Sequence, residues 1–208
     1  QSPVFIIYSY SLINNKQYGM TQGKNVVLIT WVSASSKTTL LNELMKRGWK
    51  RPLNFTTRKP RTEDAREIDE EGDYFSKELD EYVFINKATF LKKLWNGDFL
   101  ENVNYWGNFY WVSSNMPEGN VCIILDPAGR AQATAYLKLR GYNVTTVYID
   151  IWRETQAQRL LNRGDSDEEM WKRKQDFEWF MPTPKCIRLN GVMDSSVLAD
   201  IIERSQWA

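Results

Sequence analysis

Four short apolar runs, each followed by residues with helical spacing, constrain the fold of this 208-residue chain more than any other feature. The runs are NVVLIT at residues 25–30, CIILDPAG at 122–129, YNVTTVYIDI at 142–151 and KCIRLNG at 185–191. Continuous apolar runs of this length are typical of parallel strands that are buried on both faces. Because strands that alternate with helices form a parallel sheet covered by helices, we predict an α/β core.

The pattern changes between residues 54 and 117, where short aromatic segments surround one predicted helix at residues 87–95. Their alternation predicts a small mixed β subdomain inserted into a core formed by residues 21–53 and 118–208. Residues 1–20 lack the basic start and the cleavage site of a signal peptide, so we interpret them as an extension outside the core. A core with an insertion leaves a cleft in which ligands commonly bind.

The composition excludes several classes of function. The formal net charge of +1 gives no overall field that favours nucleic acid or a membrane, and no run reaches the ~18–20 apolar residues of a membrane span. The chain has no histidine, which excludes histidine bases, histidine metal ligands and histidine-dependent triads. Cys122 and Cys186 lie in apolar, strand-like runs, so we expect two reduced thiols and a cytoplasmic location rather than a disulfide.

The segment VSASSKTT, between the first predicted strand and its helix, contains part of a phosphate-binding loop. Such a loop needs inward-pointing backbone N–H groups, a lysine for the β- and γ-phosphates and a hydroxyl for Mg²⁺, and Lys37 and Thr38 meet the last two requirements. Trp31 and Ser36 occupy two positions where glycine is expected, because glycine reaches positive φ without a steric clash. On this motif alone, a phosphate loop and a Ser/Thr-rich helix start with an ordinary lysine both remain open.

Further motifs follow in a fixed order. They are NFTTRKPR at residues 54–61, DYF at 73–75, FLE at 99–101, GNFYW at 107–111 and LDPAG at 125–129. In this order they resemble the guanylate kinase family, whose signatures are T-T-R-x-P-R, G-x-D-Y-x-F, F-[IL]-E, G-x-x-Y-G and D-x-x-G. The likeness also includes QRLLNRG and MWKRK and covers residues 25–202.

The resemblance implies a P-loop NTPase-type α/β fold with an inserted mixed β subdomain that binds GMP and a helical lid at about residues 153–180. The residues that it implies for GMP binding are Asn54, Arg58, Arg61, Tyr74, Glu101, Tyr110 and Asp126. Those implied for ATP binding are Ser33, Ala34, Ser35, Ser36, Lys37, Thr38 and Thr39, with Thr38 as the Mg²⁺ ligand. Those implied to act on the migrating phosphoryl group are Lys37, Arg58, Arg159, Arg163 and Arg173.

The implied roles make chemical sense. The carboxylates of Glu101 and Asp126 can accept hydrogen bonds from guanine N1–H and N2–H₂, whereas adenine presents an acceptor at N1. Asn54 stands where the family commonly has a serine, and its amide can donate to guanine O6. The pair Arg58 and Arg61 suits a phosphate, and phosphoryl transfer needs positioning and positive charge rather than histidine.

We therefore expect a cytoplasmic, Mg²⁺-dependent enzyme that converts ATP and GMP, or dGMP, to ADP and GDP, or dGDP. Its partners would be these nucleotides, with no nucleic acid and no membrane, and a homodimer is allowed.

The sequence departs from the family at the glycines. The loop pattern G-x-S-G-x-G-K-[ST] reads W-V-S-A-S-S-K-T here, and Trp111 takes the glycine of the later Y-G pair, followed by Val112 where a small hydroxyl residue is usual. We expect Trp31 to be the most damaging change in the loop because of its bulk, and Ala34 the mildest. We also expect both tryptophans to lie on ligand-facing loops.

Three explanations stay open. In the first explanation, the chain is a binding module for protein, phosphopeptide or GMP that has lost ATP binding. Against this explanation, the chain keeps every charged residue of the transfer chemistry. Alternatively it is a working but altered kinase, for GMP or for another phosphorylated small molecule. Thirdly, UGA is read as tryptophan in some genetic codes and as glycine in others, so Trp31 and Trp111 would be misread glycines. We expect a Trp31→Gly plus Trp111→Gly variant to be an active kinase, and the chain as written to have slow or undetectable kinase activity.

Overall fold

The computed structural model describes residues 24–31, 34–59, 67–68, 74–75, 82–105, 107–162, 164, 166–168, 170–171, 173 and 185–206. Several predictions fall outside them and stay predictions: the extension at residues 1–20, the side chains of Trp31 and Tyr74, Ser33, Arg61, Arg163 and the part of the lid at residues 174–180.

In chain order the strands are β1 (Asn25–Trp31), β2 (Asn54–Thr56), β3 (Glu67–Ile68), β4 (Tyr74–Phe75), β5 (Val83–Phe84), β6 (Phe99–Tyr105), β7 (Asn108–Ser113), β8 (Val121–Ile124), β9 (Asn143–Asp150) and β10 (Ile187–Asn190). The helices are α1 (Lys37–Lys46), α2 (Lys87–Asn96), α3 (Pro127–Leu139), α4 (Arg153–Asn162) and α5 (Ser195–Ser205). Helical residues also occur at 167, 168, 170, 171 and 173.

The core is a four-stranded sheet in the order β10-β9-β1-β8, and all of its pairs are parallel. Strand β1 is buried on both faces, because Val27 and Ile29 pack in one apolar cluster and Val26 and Leu28 in another. The predicted α/β core is confirmed. The loops after β1, β8, β9 and β10 meet at one edge, because the carboxyl ends of parallel strands lie together, and this is where ligands of open α/β sheets bind.

Helix α3 begins at Pro127, inside the apolar run of residues 122–129 from which a strand is predicted. Asp126 is its N-cap, and Pro127 occupies the first helical position, where its missing N–H costs nothing. The last residues of the apolar run at 122–129 therefore form the first turn of α3.

The second sheet has six strands in the order β3-β4-β5-β2-β7-β6 and is mixed, with β2 and β5 parallel and the other pairs antiparallel. It lies within the predicted insertion, whose boundaries stay a prediction. Leu100 of β6 and Val112 of β7 pack with the core cluster that contains Val26 and Leu28, so this sheet is fixed directly to the core.

The two cysteines are free thiols, as predicted. Cys122 lies in β8 and Cys186 directly before β10, and two strands separate them, which puts their backbones about 14 Å apart and beyond disulfide reach. Burial raises the pKa of the Cys122 thiol to about 12. Within the described part of the chain, no helix is long and apolar enough to span a membrane.

Candidate functional site

Among the described residues of the loop after β1, two carry backbone strain, and Trp31 is not one of them. Trp31 continues β1 in extended register with Ile149 of β9. Ala34 and Ser36 have positive φ angles of 65° and 67°, in the left-handed region. A non-glycine residue there costs about 1–2 kcal/mol. The prediction that Trp31 is the damaging change and Ala34 the mild one is therefore wrong for the backbone: the strained glycine positions are 34 and 36.

Helix α1 begins in a way that suits an anion. Ser36 is its N-cap, but the Ser36 side chain makes no hydrogen bond to the helix, and the first turn holds no acidic residue. A helix start of this kind presents backbone N–H groups and a partial positive charge. Lys37, the first helical residue, is half-buried, and Thr38 and Thr39 beside it are exposed.

One arginine donates hydrogen bonds to this loop. Arg159 of α4, predicted as a lid residue, donates from Nη1 to the Ala34 carbonyl and to the Ser36 hydroxyl, each at 3.1 Å. Its Nη2 donates to the Gly191 carbonyl at 3.1 Å, in the turn after β10. The predicted role of Arg159 over the migrating phosphoryl group stays untested, and its described hydrogen bonds join the loop to the turn after β10. The backbone carbonyl of Arg173, another predicted lid residue, accepts a hydrogen bond from Nε2 of Gln156 in α4 at 3.5 Å.

Two carboxylates converge where the second sheet meets α3. Asp126 accepts hydrogen bonds from the backbone N–H of Ala128 at 2.7 Å and of Gly129 at 2.8 Å. A Cβ on Gly129 would lie 2.5 Å from Glu101 Oε2, so glycine is required there for the carboxylate to reach the start of the helix. Sequence reasoning predicted both carboxylates, and the structure brings them together.

The Glu101 carboxyl group is buried, with 5% of the residue exposed. Burial raises its pKa well above the usual range, and the negative charge of Asp126 raises it further, against a smaller opposing effect from a hydrogen bond with the Val112 backbone. A perturbed carboxyl group held at the edge of a sheet is a common feature of ligand sites.

One face of the second sheet, which we call the polar face, carries Asn54, Thr56, Glu101, Tyr110 and Val112. Register partners on antiparallel strands point to the same side: Asn54 is opposite Val112, which is opposite Glu101, and Thr56 is opposite Tyr110. Asn54 is buried, and its Oδ1 has no hydrogen-bond partner. An orphaned buried acceptor of this kind calls for an explanation, and a ligand donor supplies one.

Arg58, the cation predicted to hold a phosphate, lies two residues beyond the end of β2. The backbone N–H of Arg58 donates to the Thr56 hydroxyl at 3.0 Å, and the Arg58 guanidinium lies 5.3 Å from the centre of the Phe84 ring. Arg58 therefore follows the strand that contributes Asn54 and Thr56 to the polar face, and its guanidinium lies against Phe84 of the neighbouring strand β5.

Comparisons with known proteins agree with this geometry. A sequence model of the family described as "Guanylate kinase" matches residues 22–182. The chain belongs to the guanylate kinase family. It is 28% identical over 163 residues to a guanylate kinase of Hahella chejuensis (strain KCTC 2396), covering 74% of this chain and 71% of the relative. It is also 28% identical over 165 residues to a guanylate kinase of Ruegeria sp. (strain TM1040), covering 74% and 69%.

The fold is shared with a solved member of the family. The crystal structure of guanylate kinase from Anaplasma phagocytophilum superposes with a TM-score of 0.59 at 20% identity, covering 89% of this chain and 85% of that one.

The structure adds a tyrosine that the sequence reading missed. Tyr82 packs edge-on against Tyr110, with ring centroids 5.7 Å apart. It begins the run Tyr82-Val83-Phe84, which fits the family pattern D-Y-x-F in the spacing of tyrosine and phenylalanine, whereas Tyr74 is followed directly by Phe75. That one-residue difference in spacing was the available signal. The assignment of Tyr74 stays a prediction, and Tyr82 joins it as a candidate.

Trp111, at a glycine position of the guanylate kinase family, does not face the ligand side. It is 1% exposed and lies in β7, where its ring stacks on Phe55 at 5.3 Å and contacts Phe90 at 4.8 Å and Phe99 at 4.9 Å. The prediction that Trp111 lies on a ligand-facing loop is wrong, because strand alternation turns it to the aromatic face beneath α2. Its indole N–H has no hydrogen-bond partner there.

Thr38, the predicted Mg²⁺ ligand, is of a type that can supply one oxygen to this ion, and its role stays a prediction. In the described part of the chain no group of three or more Asp, Glu, Cys or His could bind a metal, whereas the hydroxyl of Thr38 is exposed on the first turn of α1. Mg²⁺ commonly takes one or two protein oxygens and completes its shell with water and phosphate oxygens.

Proposed function

We propose that this chain transfers the γ-phosphoryl group of ATP to GMP or dGMP in the cytoplasm. The observation that carries the proposal is the polar face, which places Glu101, Asn54 and Tyr110 on one side of the second sheet. Asp126 lies near Glu101, and Arg58 follows β2 by two residues. The phosphate loop lies after β1, next to β8, so it shares with Asp126 the carboxyl edge of the parallel sheet.

Recognition of guanine follows from the buried groups. Guanine N1–H and N2–H₂ would donate to Glu101 and to Asp126, and the side-chain N–H₂ of the buried Asn54 would donate to guanine O6. Adenine has an acceptor at N1, which would face the carboxylate oxygens of Glu101 and Asp126 and leave them without a hydrogen-bond donor. We therefore expect strong discrimination against AMP.

The phosphate groups would be held by cations and dipoles. Arg58, together with Tyr110 and Tyr82, would bind the GMP phosphate, and Lys37 and the start of α1 would bind the ATP phosphates. Thr38 would supply a hydroxyl ligand to Mg²⁺, which neutralises phosphate charge when bound. These groups orient the acceptor oxygen toward the γ-phosphorus and stabilise the charge of the migrating group.

A coupled assay of ADP formation tests the proposal. We expect turnover that requires ATP together with GMP and that is absent with AMP. Lys37→Met should lower turnover at least 100-fold while GMP still binds, because its charge acts on the ATP phosphates. Turnover with AMP at the rate seen with GMP would contradict the assigned specificity.

A second function has one observation in its favour. The left-handed Ala34 and Ser36 make the ATP loop costly to form, so a GMP-binding module without phosphoryl transfer is the alternative. Calorimetric titration separates the two: the kinase binds both GMP and a non-hydrolysable ATP analogue, and the module binds GMP alone.

A further inference from the structure

The ATP loop holds two residues in a conformation that glycine adopts more easily. Ala34 and Ser36 are the described non-glycine residues with positive φ, and they are two positions apart in the chain. Something outside the loop must keep it in this conformation, because neither side chain favours it intrinsically.

A single guanidinium contacts both strained residues. Nη1 of Arg159 donates to the carbonyl of Ala34 and to the hydroxyl of Ser36, and both distances are 3.1 Å. The Ser36 hydroxyl does not cap α1, so its described hydrogen bond is the one to Arg159. A glycine at position 36 would have no hydroxyl, and this contact therefore exists only because the family's glycine has been replaced.

The other end of the guanidinium is held by a well-packed turn. Nη2 of Arg159 donates to the Gly191 carbonyl at 3.1 Å, and the Gly191 N–H donates to the Asp150 carbonyl at 2.7 Å. A Cβ on Gly191 would lie 2.6 Å from Ile151, 2.7 Å from Ile149 and 3.1 Å from the Ser35 carbonyl. The loop therefore lies directly against this turn, and Arg159 joins the two.

We propose that Arg159 is a positioning residue that holds the glycine-poor loop in its phosphate-binding conformation through Ser36 and Ala34. The Ser36 hydroxyl then partly offsets the strain that its own Cβ introduces. A planar fork of donors is needed to reach the loop and the turn together, and a lysine ammonium at the same place supplies charge without that geometry. The ATP readout below depends on the proposed function, whereas the thermal readout does not.

The first arm of the test compares two substitutions of Ser36. Ser36→Ala keeps the Cβ but removes the hydroxyl, and we expect the Kd for a non-hydrolysable ATP analogue to rise about tenfold. Ser36→Gly removes both, and we expect its Kd to be at least threefold lower than that of Ser36→Ala. Equal Kd values for the two variants would contradict the proposal, because the hydroxyl contact would then have no effect on the loop.

The second arm is a double-mutant cycle with Arg159→Lys, and the matched control is Arg204→Lys on the exposed last turn of α5. Arg159→Lys should weaken analogue binding about tenfold in the parent chain and less than threefold in the Ser36→Gly chain, and the control should change neither. Equal weakening in both chains would show that Arg159 acts on ATP directly and would overturn the proposal.

Thermal unfolding makes the result independent of ATP. The drop in Tm caused by Arg159→Lys should be at least twice as large in the parent chain as in the Ser36→Gly chain. If no variant binds the analogue, the proposed ATP site fails and the Tm cycle alone decides: equal drops in Tm would contradict the positioning role.

Discussion

The loop after β1 and the second sheet both have other residues at glycine positions of the family, and they tolerate the replacements very differently. In the loop, Ala34 and Ser36 keep the left-handed backbone and carry its strain. In the second sheet, Trp111 has an ordinary strand backbone and fills an aromatic core. The cost of replacing a glycine is therefore set by the backbone conformation and the space at that position, and the size of the new side chain alone is a poor guide.

The largest expected effect is on the second sheet. Trp111→Gly should lower the free energy of unfolding by about 3–5 kcal/mol, because it leaves a cavity between Phe55, Phe90 and Phe99. Trp111→Phe is the matched control, since it keeps most of the packing and removes the unpartnered indole N–H. Chemical denaturation measures both variants. An unchanged stability in Trp111→Gly would contradict the packing account and favour a misread glycine, which the codon at position 111 decides.

The next effect is on guanine recognition. Glu101→Gln should lower kcat/KM for GMP at least 100-fold, because an amide places a donor against a guanine donor. The same variant should raise Tm by a few degrees above neutral pH, since an ionised carboxylate at this buried position destabilises the apo protein. Turnover of GMP by Glu101→Gln at the parent rate would show that Glu101 does not bind guanine.

A pH effect of intermediate size follows from the raised pKa of Glu101. The folded apo protein binds this proton more tightly than the unfolded chain, so stability should fall as pH rises above about 4.3, the ordinary glutamate value, toward the raised pKa. GMP donors favour the ionised form, so GMP affinity should rise over the same interval with release of a proton. Titration in buffers of different ionisation enthalpy measures that proton, and a pH-independent affinity would exclude the linkage.

The smallest expected effect is in the loop. Ala34→Gly should raise the free energy of unfolding by about 0.5–1 kcal/mol, because the relief of left-handed strain exceeds the added freedom of the unfolded chain. It should also tighten binding of the ATP analogue and leave GMP affinity unchanged. Ala128→Gly in the first turn of α3, where φ is not positive, is the control and should be destabilising. A loss of stability in Ala34→Gly would show that the loop is not strained.

The sequence predicted the parallel core and the pairing of Glu101 with Asp126, because apolar runs, helix spacing and ordered motifs are local signals. The start of α3 was also readable from Asp126-Pro127, an N-cap followed by proline. The sequence could not show which loop residues have positive φ, since φ depends on how the loop packs against Gly191 and Arg159.

The orientation of Trp111 was partly readable. Phe109 and Trp111 alternate with Tyr110 and Val112, and this period of two places the first pair on one face and the second on the other. The family pattern directed attention to the missing glycine at position 111 and away from that alternation. The contacts of Arg159 with the loop had no sequence signal, because they join residues more than 120 positions apart.

Calorimetric titration of GMP into the unaltered chain tests the central claim most directly, because the polar face does not depend on the strained ATP loop. We expect binding at one site per chain, no binding of AMP, and loss of GMP binding in Glu101→Gln. Absence of GMP binding by the unaltered, folded chain would contradict the account, whatever the ATP loop binds.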